Sequence, residues 1–303
     1  MRLAFPFTKV FLVARITRNI AAMGTLFELL LLGDDTEHLT DVAEASIAEL
    51  KRVEQLISRY DPRSEISRIN RDAAAQSVQV DREVWELIEL GASAWETTGG
   101  AFDLTASTPA SDQPVPVSFA QVSLDDVHRR VAFSRSDVKL DLGAIGKGYA
   151  LDRVKQLLLE YGVKQAFVHG GSSSVTAIGG GPQGTGWQIE LAVNWQDAPG
   201  GLATLSLKDV SLSCSDSHSS ETAVSDIIDP STSAPIGEPR ACFCTGPSGV
   251  ECEAFSTAAI VMGRDRTKEL LREIAPTTLA SVGWIDQSSG GATLTWLRGG
   301  PSR

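Results

Sequence analysis

Cysteine is scarce in this sequence, with four residues among 303. They are Cys214, Cys242, Cys244 and Cys252, and the C-x-C-x7-C spacing of the last three lacks the paired C-x2-C knuckles of a structural zinc site. A chain of this length can also bury a hydrophobic core of its own, so it is not a disulfide-stabilised miniprotein. We expect reduced thiols, buried or in strands, in a cytosolic protein.

Long apolar runs are also missing. The N-terminus reads MRLAFPFTKVFLVAR, but Lys9 and Arg15 interrupt it, and no small-residue cleavage site or lipid-acceptor cysteine follows. The run from Leu26 to Leu32 contains Glu28 and is far shorter than the roughly 20 apolar residues that a transmembrane helix needs. We therefore expect no membrane span and a cytoplasmic location.

Positive charge is in deficit, because 27 Lys and Arg residues stand against 38 Asp and Glu residues, for a net charge of −11. A chain this acidic is repelled by a phosphate backbone, so we expect no nucleic-acid partner. The apolar fraction of 42% and the charged fraction of 21% are those of an ordinary folded protein. The length suits two domains or one large domain.

Helix and strand patterns follow one another irregularly along the chain. The apolar stretch 21–32 predicts a buried strand, and residues 166–168 and 187–193 predict two more. Apolar spacing predicts four helices, which cover 41–58 with Thr40 as cap, the segment between Asp81 and the Gly99-Gly100 pair, the segment after Gly148, and 253–274 with a break at Gly263. The Pro-, Ser- and Thr-rich stretch 105–118 predicts a surface loop. This mixture indicates an α+β fold.

Three short motifs could each serve a ligand. Residues 143–148 (GAIGKG) follow a strand-like VKLDL, so their amides suit either a phosphate at a helix N-terminus or a plain tight turn. Residues 170–174 (GGSSS) would let the backbone approach a ligand closely. Glu253 and Thr257, four residues apart, would share one helix face and could reach a cation, or Glu253 could simply be exposed.

In their order along the chain, these motifs resemble those of the FAD:protein FMN transferases, the ApbE-like family. The matching blocks are AMGT at 22–25, SRYDPRSEISRIN at 58–70, GGAFDLT at 99–105, LDLGAIGKGYA at 140–150, HGGS at 169–172, IIDP at 227–230 and EAFSTA at 253–258. The resemblance implies a flavin transferase domain over 21–285, between a tail or strand at 1–20 and a C-terminal strand and tail at 286–303. It also implies a T-fold-like α+β architecture with two closely packed lobes and FAD in the cleft between them.

The implied activity is a Mg²⁺-dependent transfer of the FMN half of FAD to a Ser or Thr hydroxyl of an acceptor protein, with release of AMP. FAD and the flavinylated acceptor protein are thus the implied partners. Such a displacement at phosphorus requires alignment of the reactants and neutralisation of the phosphate oxygens. A site with one carboxylate, a hydroxyl and a backbone carbonyl suits Mg²⁺, which takes hard oxygen ligands.

The resemblance also implies roles for individual residues. Tyr60 would offer an aromatic face to the flavin ring, and Lys147 would offset pyrophosphate charge. The implied contacts to the cofactor are Met23, Tyr60, Ala101, Phe102, Asp103, Asp141, Lys147, Gly170, Gly171 and Ile227. The implied metal ligands are the Ala144 carbonyl, the Glu253 carboxylate and the Thr257 hydroxyl, with Ser256 adjacent. The implied catalytic residues are Asp226 and Lys147.

Two single positions and one short run depart from the family pattern. Glu253 stands where the family usually has Asp, and Asp226 stands where it commonly has a His that helps to deprotonate the acceptor. The family's Thr-Ser-Gly run appears here as Ser213-Cys214-Ser215. These departures leave two alternatives open, a flavin-binding homologue without turnover and an FAD pyrophosphatase that yields FMN and AMP. Asp229 suits either a turn or the site, and His218 suits either a solvated loop or the missing imidazole.

Overall fold

The structure, a computed structural model, describes residues 14–107, 116–193, 195, 201–218, 225–288 and 291–300. The α-helices in these residues are α1 (Thr36–Ile57), α2 (Glu65–Asp72), α3 (Arg82–Thr97), α4 (Gly143–Glu160), α5 (Gly249–Met262) and α6 (Arg264–Leu270), and a 3-10 helix covers Phe119–Gln121. The strands are β1 (Ala14–Ala22), β2 (Thr25–Gly33), β3 (Val78–Gln79), β4 (Val122–Asp125), β5 (Arg130–Phe133), β6 (Gln165–Gly170), β7 (Ser174–Ile178), β8 (Trp187–Leu191), β9 (Ala203–Leu207), β10 (Ser211–Asp216), β11 (Ile228–Asp229), β12 (Ala234–Pro235), β13 (Arg240–Gly246), β14 (Ser281–Ser288) and β15 (Gly291–Arg298).

An eight-stranded antiparallel sheet forms the centre of the molecule, in the order β1-β2-β6-β7-β10-β13-β14-β15. Its middle strands are buried on both faces, as the fully buried β7 illustrates. Helices α1, α4 and α5 pack on one face. The β8–β9 hairpin covers the other face, where Trp187 and Leu205 join a core cluster with Phe167 of β6. The α+β prediction is therefore confirmed.

The boundaries of the helices refine the sequence predictions. Helix α3 and its cap are confirmed, since the Asp81 side chain accepts a hydrogen bond from the Glu83 amide. Helix α1 begins at Thr36, so the prediction of Thr40 as its cap is wrong. The cap is Asp35, which accepts from the His38 amide at 3.0 Å, whereas the Thr40 hydroxyl donates to the Thr36 carbonyl.

Helix α4 begins at Gly143 and not after Gly148, so the GAIGKG motif is the first part of a helix rather than a tight turn. Packing overrides the low helix propensity of its glycines. A Cβ on Gly148 would lie 2.4 Å from the Gly249 carbonyl oxygen, so glycine allows α4 and α5 to approach closely. The predicted helical region with a break at Gly263 is confirmed, although α5 begins four residues early, at Gly249.

The apolar stretch 21–32 is a hairpin rather than one strand. Strands β1 and β2 are joined by a turn at Met23 and Gly24, both in the left-handed region with φ of +50° and +71°. Within the predicted loop 105–118, residues 108–115 lie outside the described residues, and so do residues 1–13 of the predicted tail. The predicted domain boundaries and the division into two lobes stay predictions. None of the described helices combines the length and the apolar character needed to cross a bilayer.

Candidate functional site

Several turns and helix ends that the sequence separates widely meet at one end of the central sheet. Phe27, three residues after the β1–β2 turn, pairs with Gly170 at the end of β6, and Gly170 pairs with Ser174 at the start of β7. The Ser174 hydroxyl then donates to Glu253 of α5. These contacts bring three of the sequence blocks into one neighbourhood.

The Gly170-Gly171 pair is required by the fold of this region itself. A Cβ on Gly170 would lie 2.6 Å from the ring of Phe27. Gly171 has a φ of +62°, and a Cβ there would lie 2.6 Å from the Thr25 hydroxyl. Larger residues would therefore disturb the β1–β2 and β6–β7 turns.

Glu253 is the buried carboxylate at the centre of the site, with 3% of its surface exposed. Its Oε2 accepts from the Gly148 amide at 2.7 Å, and its Oε1 accepts from the Ser174 hydroxyl at 2.5 Å. The Lys147 ammonium lies 3.7 Å from Oε1. Burial raises the pKa of the Glu253 carboxyl, and the charge of Lys147 and the two hydrogen bonds oppose that rise.

The interaction with Glu253 also affects the start of α4. Gly148 lies four residues after Ala144, so its amide is the one that a regular α-helix directs to the Ala144 carbonyl. This amide donates to the Glu253 Oε2 at 2.7 Å. The hydrogen bond therefore places the start of α4, which contains Ala144, next to the Glu253 carboxylate.

A row of hydroxyl groups lies between β10 and α5. The Ser256 Oγ is 3.2 Å from the Ser213 Oγ and 2.8 Å from the Ser215 Oγ, and Ser215 is 3.2 Å from the Thr257 Oγ1. Ser213 and Ser256 are buried, whereas Ser215 and Thr257 are half-buried. The structure therefore brings Ser256 and Thr257 together with Glu253 on one part of α5, as expected for residues at helical spacing.

A second cluster surrounds the N-terminus of α4. The Asp141 Oδ1 accepts from the Gly143 amide at 2.8 Å, and its Oδ2 accepts from the Ser107 hydroxyl at 2.8 Å. The Arg59 guanidinium lies 3.1 Å from the Asp141 Oδ2 and 4.9 Å from the centre of the Tyr60 ring, and it donates to the Tyr60 hydroxyl. The exposed fraction of Tyr60 is 81%, so its other face is open to a ligand.

The remaining residues of the first half lie mostly in packed positions. Ala101 and Phe102 belong to the main core, and Met23 packs against it while its amide donates to Glu54 at 2.6 Å. The buried Asp103 accepts from the Thr105 amide and hydroxyl at 2.7 Å and from the Phe119 amide at 2.9 Å. Burial raises the pKa of Asp103, and these hydrogen bonds oppose the rise. In the structure Asp103 thus fixes the shape of the 101–107 loop.

Asp226 is exposed, and Ile227 packs against the cluster that contains Phe255 of α5. Among the described residues, no hydrogen bond or ion pair joins Asp226 to Glu253 or Thr257.

Asp229 accepts from the Ser231 amide and hydroxyl and organises the β11–β12 turn. The structure favours the turn interpretation of Asp229, while His218 follows β10 and donates its amide to Asp216.

All four cysteines are free. Burial raises the pKa of the Cys214 thiol to about 12, so this cysteine is not a nucleophile near neutral pH. Among the described residues, no three His, Cys, Asp or Glu side chains come together as a metal site. A cation at Glu253 would therefore depend on hydroxyl and carbonyl oxygens for its other protein ligands.

Sequence reasoning missed three residues that organise the site. Ser174 and Ser215 each contact an expected metal ligand, and Arg59 joins Tyr60 to Asp141. Ser174 lies in the GGSSS motif and Arg59 precedes Tyr60 in the SRYDP block, so both carried a local signal. Ser215 was named only as part of the run that departs from the family pattern, and its partners could not be foreseen because they come from α5, about forty residues later in the chain.

Comparison with known proteins gives one consistent result. The model of the ApbE family matches residues 23–280. The FAD:protein FMN transferase of Escherichia coli K12 is 22% identical over 280 residues, which cover 82% of this chain and 79% of that protein. The FAD:protein FMN transferase of Treponema pallidum is 24% identical over 262 residues, which cover 74% of this chain and 72% of that protein.

Solved structures show the same fold. The flavin transferase ApbE from Vibrio cholerae superposes with a TM-score of 0.79 at 18% identity, over 94% of this chain and 97% of that one. The ApbE protein from Thermotoga maritima superposes with a TM-score of 0.76 at 24% identity, over 93% of this chain and 97% of that one. The predicted α+β architecture of these proteins is thus confirmed for this chain.

Proposed function

Because this chain belongs to the ApbE family, we propose that it is a flavin transferase, which moves the FMN half of FAD to a Ser or Thr hydroxyl of an acceptor protein and releases AMP. FAD and the acceptor protein are its partners in this proposal, and Mg²⁺ is its metal. The observation that carries the proposal is the convergence of Glu253, Ser256 and Thr257 of α5 with Lys147 and the start of α4.

The chemistry of these residues fits Mg²⁺. Gly148 and Ser174 each use one acceptor position on a different Glu253 oxygen, so both oxygens keep the capacity to bind a cation. The Thr257 hydroxyl and the Ala144 carbonyl add hard oxygen donors, and a cation would offset the cost of burying the carboxylate. When bound, Mg²⁺ would neutralise charge on the phosphate oxygens.

The proposed reaction is a displacement at the phosphorus of the FMN half. The acceptor hydroxyl oxygen forms a new bond to that phosphorus, the pyrophosphate P–O bond breaks, and AMP leaves with the electron pair. Lys147, half-buried and pointing at Glu253, is placed to offset phosphate charge. The exposed Asp226 would accept the hydroxyl proton, although a carboxylate is ordinarily a weaker base than the histidine that it replaces.

The cofactor would extend from this cation site toward Tyr60. Asp141 lies two residues before α4, and Lys147 lies in its second turn. Gly143 and Lys147, four residues apart, are separated by roughly 6 Å along the helix axis. Tyr60 presents its open face beside Asp141, which supports stacking of the flavin ring there. We propose that FAD lies in a cleft between two lobes along this line.

The proposal is tested by incubating the purified chain with FAD, Mg²⁺ and a Ser/Thr acceptor protein. We expect AMP and covalent protein-bound flavin in equal amounts, and neither without metal. AMP without covalent flavin would favour an FAD pyrophosphatase instead. FAD binding without AMP would leave a flavin-binding protein without turnover.

We also propose a cytoplasmic location. The four free cysteines, three of them buried, support a reducing compartment. Fractionation of cells that express the full chain tests this, and recovery of the protein outside the cytoplasm would contradict it.

A further inference from the structure

The contacts in the hydroxyl row between β10 and α5 determine which hydroxyl group donates to which acceptor. Ser256 Oγ lies 3.2 Å from the Glu253 backbone carbonyl as well as near Ser213 and Ser215. A carbonyl oxygen only accepts, so Ser256 must donate its single hydroxyl proton to it. Ser256 is then an acceptor for both other serines.

This assignment also fixes the direction in which the Ser215 and Thr257 hydroxyl groups donate. Ser215 donates its single proton to Ser256 at 2.8 Å, so toward Thr257, at 3.2 Å, it can only accept. Thr257 therefore donates to Ser215. Only this arrangement of protons satisfies every contact in the row.

The consequence concerns the lone pairs of Thr257. Once its proton points to Ser215, the Thr257 oxygen is an acceptor toward everything else, which is the state that a metal cation requires of a hydroxyl ligand. Without Ser215, the hydroxyl could rotate and turn its proton toward the cation. We propose that Ser215 is a positioning residue, which holds the Thr257 hydroxyl in the orientation that binds a divalent cation beside Glu253.

This inference rests on the proposed function, because it assigns a role at the same metal site. Ser215 also stabilises the fold by joining β10 to α5. A merely structural role predicts lower stability alone, whereas a positioning role predicts lower cation affinity in a folded protein. The two roles are therefore separable by direct measurement of metal binding.

The test uses Mn²⁺ alone as the probe, titrated into the full chain without FAD and followed by electron paramagnetic resonance. Loss of a residue that orients a metal ligand typically weakens affinity by about 10- to 100-fold. We expect Ser215→Ala to weaken Mn²⁺ binding by about tenfold. Ser215→Thr keeps the hydroxyl and should restore binding to within about twofold, while circular dichroism confirms that each variant is folded.

Ser211→Ala is the matched control, because Ser211 lies on the same face of β10 and its hydroxyl pairs with the Thr176 hydroxyl at 3.1 Å, away from Thr257. It should bind Mn²⁺ as the unchanged chain does. Equal affinity of Ser215→Ala and the unchanged chain would overturn the inference, and so would a failure of the unchanged chain to bind Mn²⁺. The proposed function fails separately, if FAD and Mg²⁺ yield no covalent flavin.

Discussion

At the scale of single residues, the environment of Glu253 decides what the site can do. A carboxylate buried to this degree persists as a charge only with partners, and here Lys147, Ser174 and Gly148 supply them. The sequence placed Glu253 and Thr257 on one helix face, because helical spacing is a local property. It could not reveal Ser174 or Gly148 as partners, because these contacts depend on how α4 and β7 pack against α5.

Glu253→Gln should separate binding of the metal from stability of the fold. The amide can accept from Gly148 and donate to Ser174, so it keeps both hydrogen bonds without a buried charge. Because burial raises the pKa of Glu253, ionisation of this carboxyl lowers the free energy of unfolding as the pH rises above the ordinary carboxyl pKa. At pH 8 we expect a melting temperature at or above that of the unchanged chain, with metal-dependent AMP release lost. Retained AMP release would contradict the assignment of Glu253 as a ligand.

Arg59→Ala should weaken FAD binding. Arg59 covers one face of Tyr60 and pairs with Asp141, so its loss frees both proposed cofactor contacts to move. We expect KM for FAD to rise about tenfold, with kcat changed less. Arg63→Ala is the control, because Arg63 is exposed and, in the part of the chain that the structure describes, pairs only with Asp61 in its own loop. An unchanged KM in Arg59→Ala would show that Tyr60 and Asp141 need no such support.

At the scale of elements, the close contact of α4 and α5 positions the two halves of the candidate metal site. Gly148 and Gly249 allow the contact, and Asp152 of α4 accepts from the Gly249 amide at 2.7 Å and from the Val250 amide at 3.1 Å at the start of α5. The apolar pattern predicted both helices. It missed their first residues because glycines, which occur at both helix starts, have a low helix propensity until another element packs against them.

Asp152→Ala should destabilise the protein by about 2 kcal/mol. It removes a half-buried acceptor for two amides and for the Ser248 hydroxyl, and it removes a negative charge from the N-terminus of α5. Urea unfolding of the variant measures the loss. Glu86→Ala, on the exposed face of α3, should change the free energy of unfolding by less than about 0.5 kcal/mol. A similar effect of the two substitutions would argue against the capping role.

At the scale of the whole molecule, an ion-pair network joins three of the helices. Glu49 of α1 pairs with Arg52 and with Arg153 of α4, and Arg52 also pairs with Glu83 of α3. Charge patterns in the sequence did not predict this network, because its members meet only after the helices pack on the sheet. The overall fold class and the order of the functional motifs were predictable, whereas the pairing of distant helices was not.

The network predicts a defined dependence of stability on pH. Arg52, and then Arg153, lower the pKa of Glu49 from its ordinary value of 4.5 to about 2, although burial opposes this. A lowered pKa contributes stability above pH 4.5, and this contribution is lost as the pH falls toward 2. The stability advantage of the unchanged chain over Glu49→Gln should thus shrink between pH 5 and pH 2.5. A constant difference in urea midpoints over that range would contradict the role of the network.

The central claim is that the converging turns and helix ends hold FAD beside a divalent cation and transfer its FMN half. The most direct measurement is mass spectrometry of a Ser/Thr acceptor protein after incubation with this chain, FAD and Mg²⁺. We predict an acceptor heavier by one FMN less one water, with an equal amount of AMP, and no change with Glu253→Ala. An acceptor of unchanged mass, despite bound FAD and Mg²⁺, would contradict the claim.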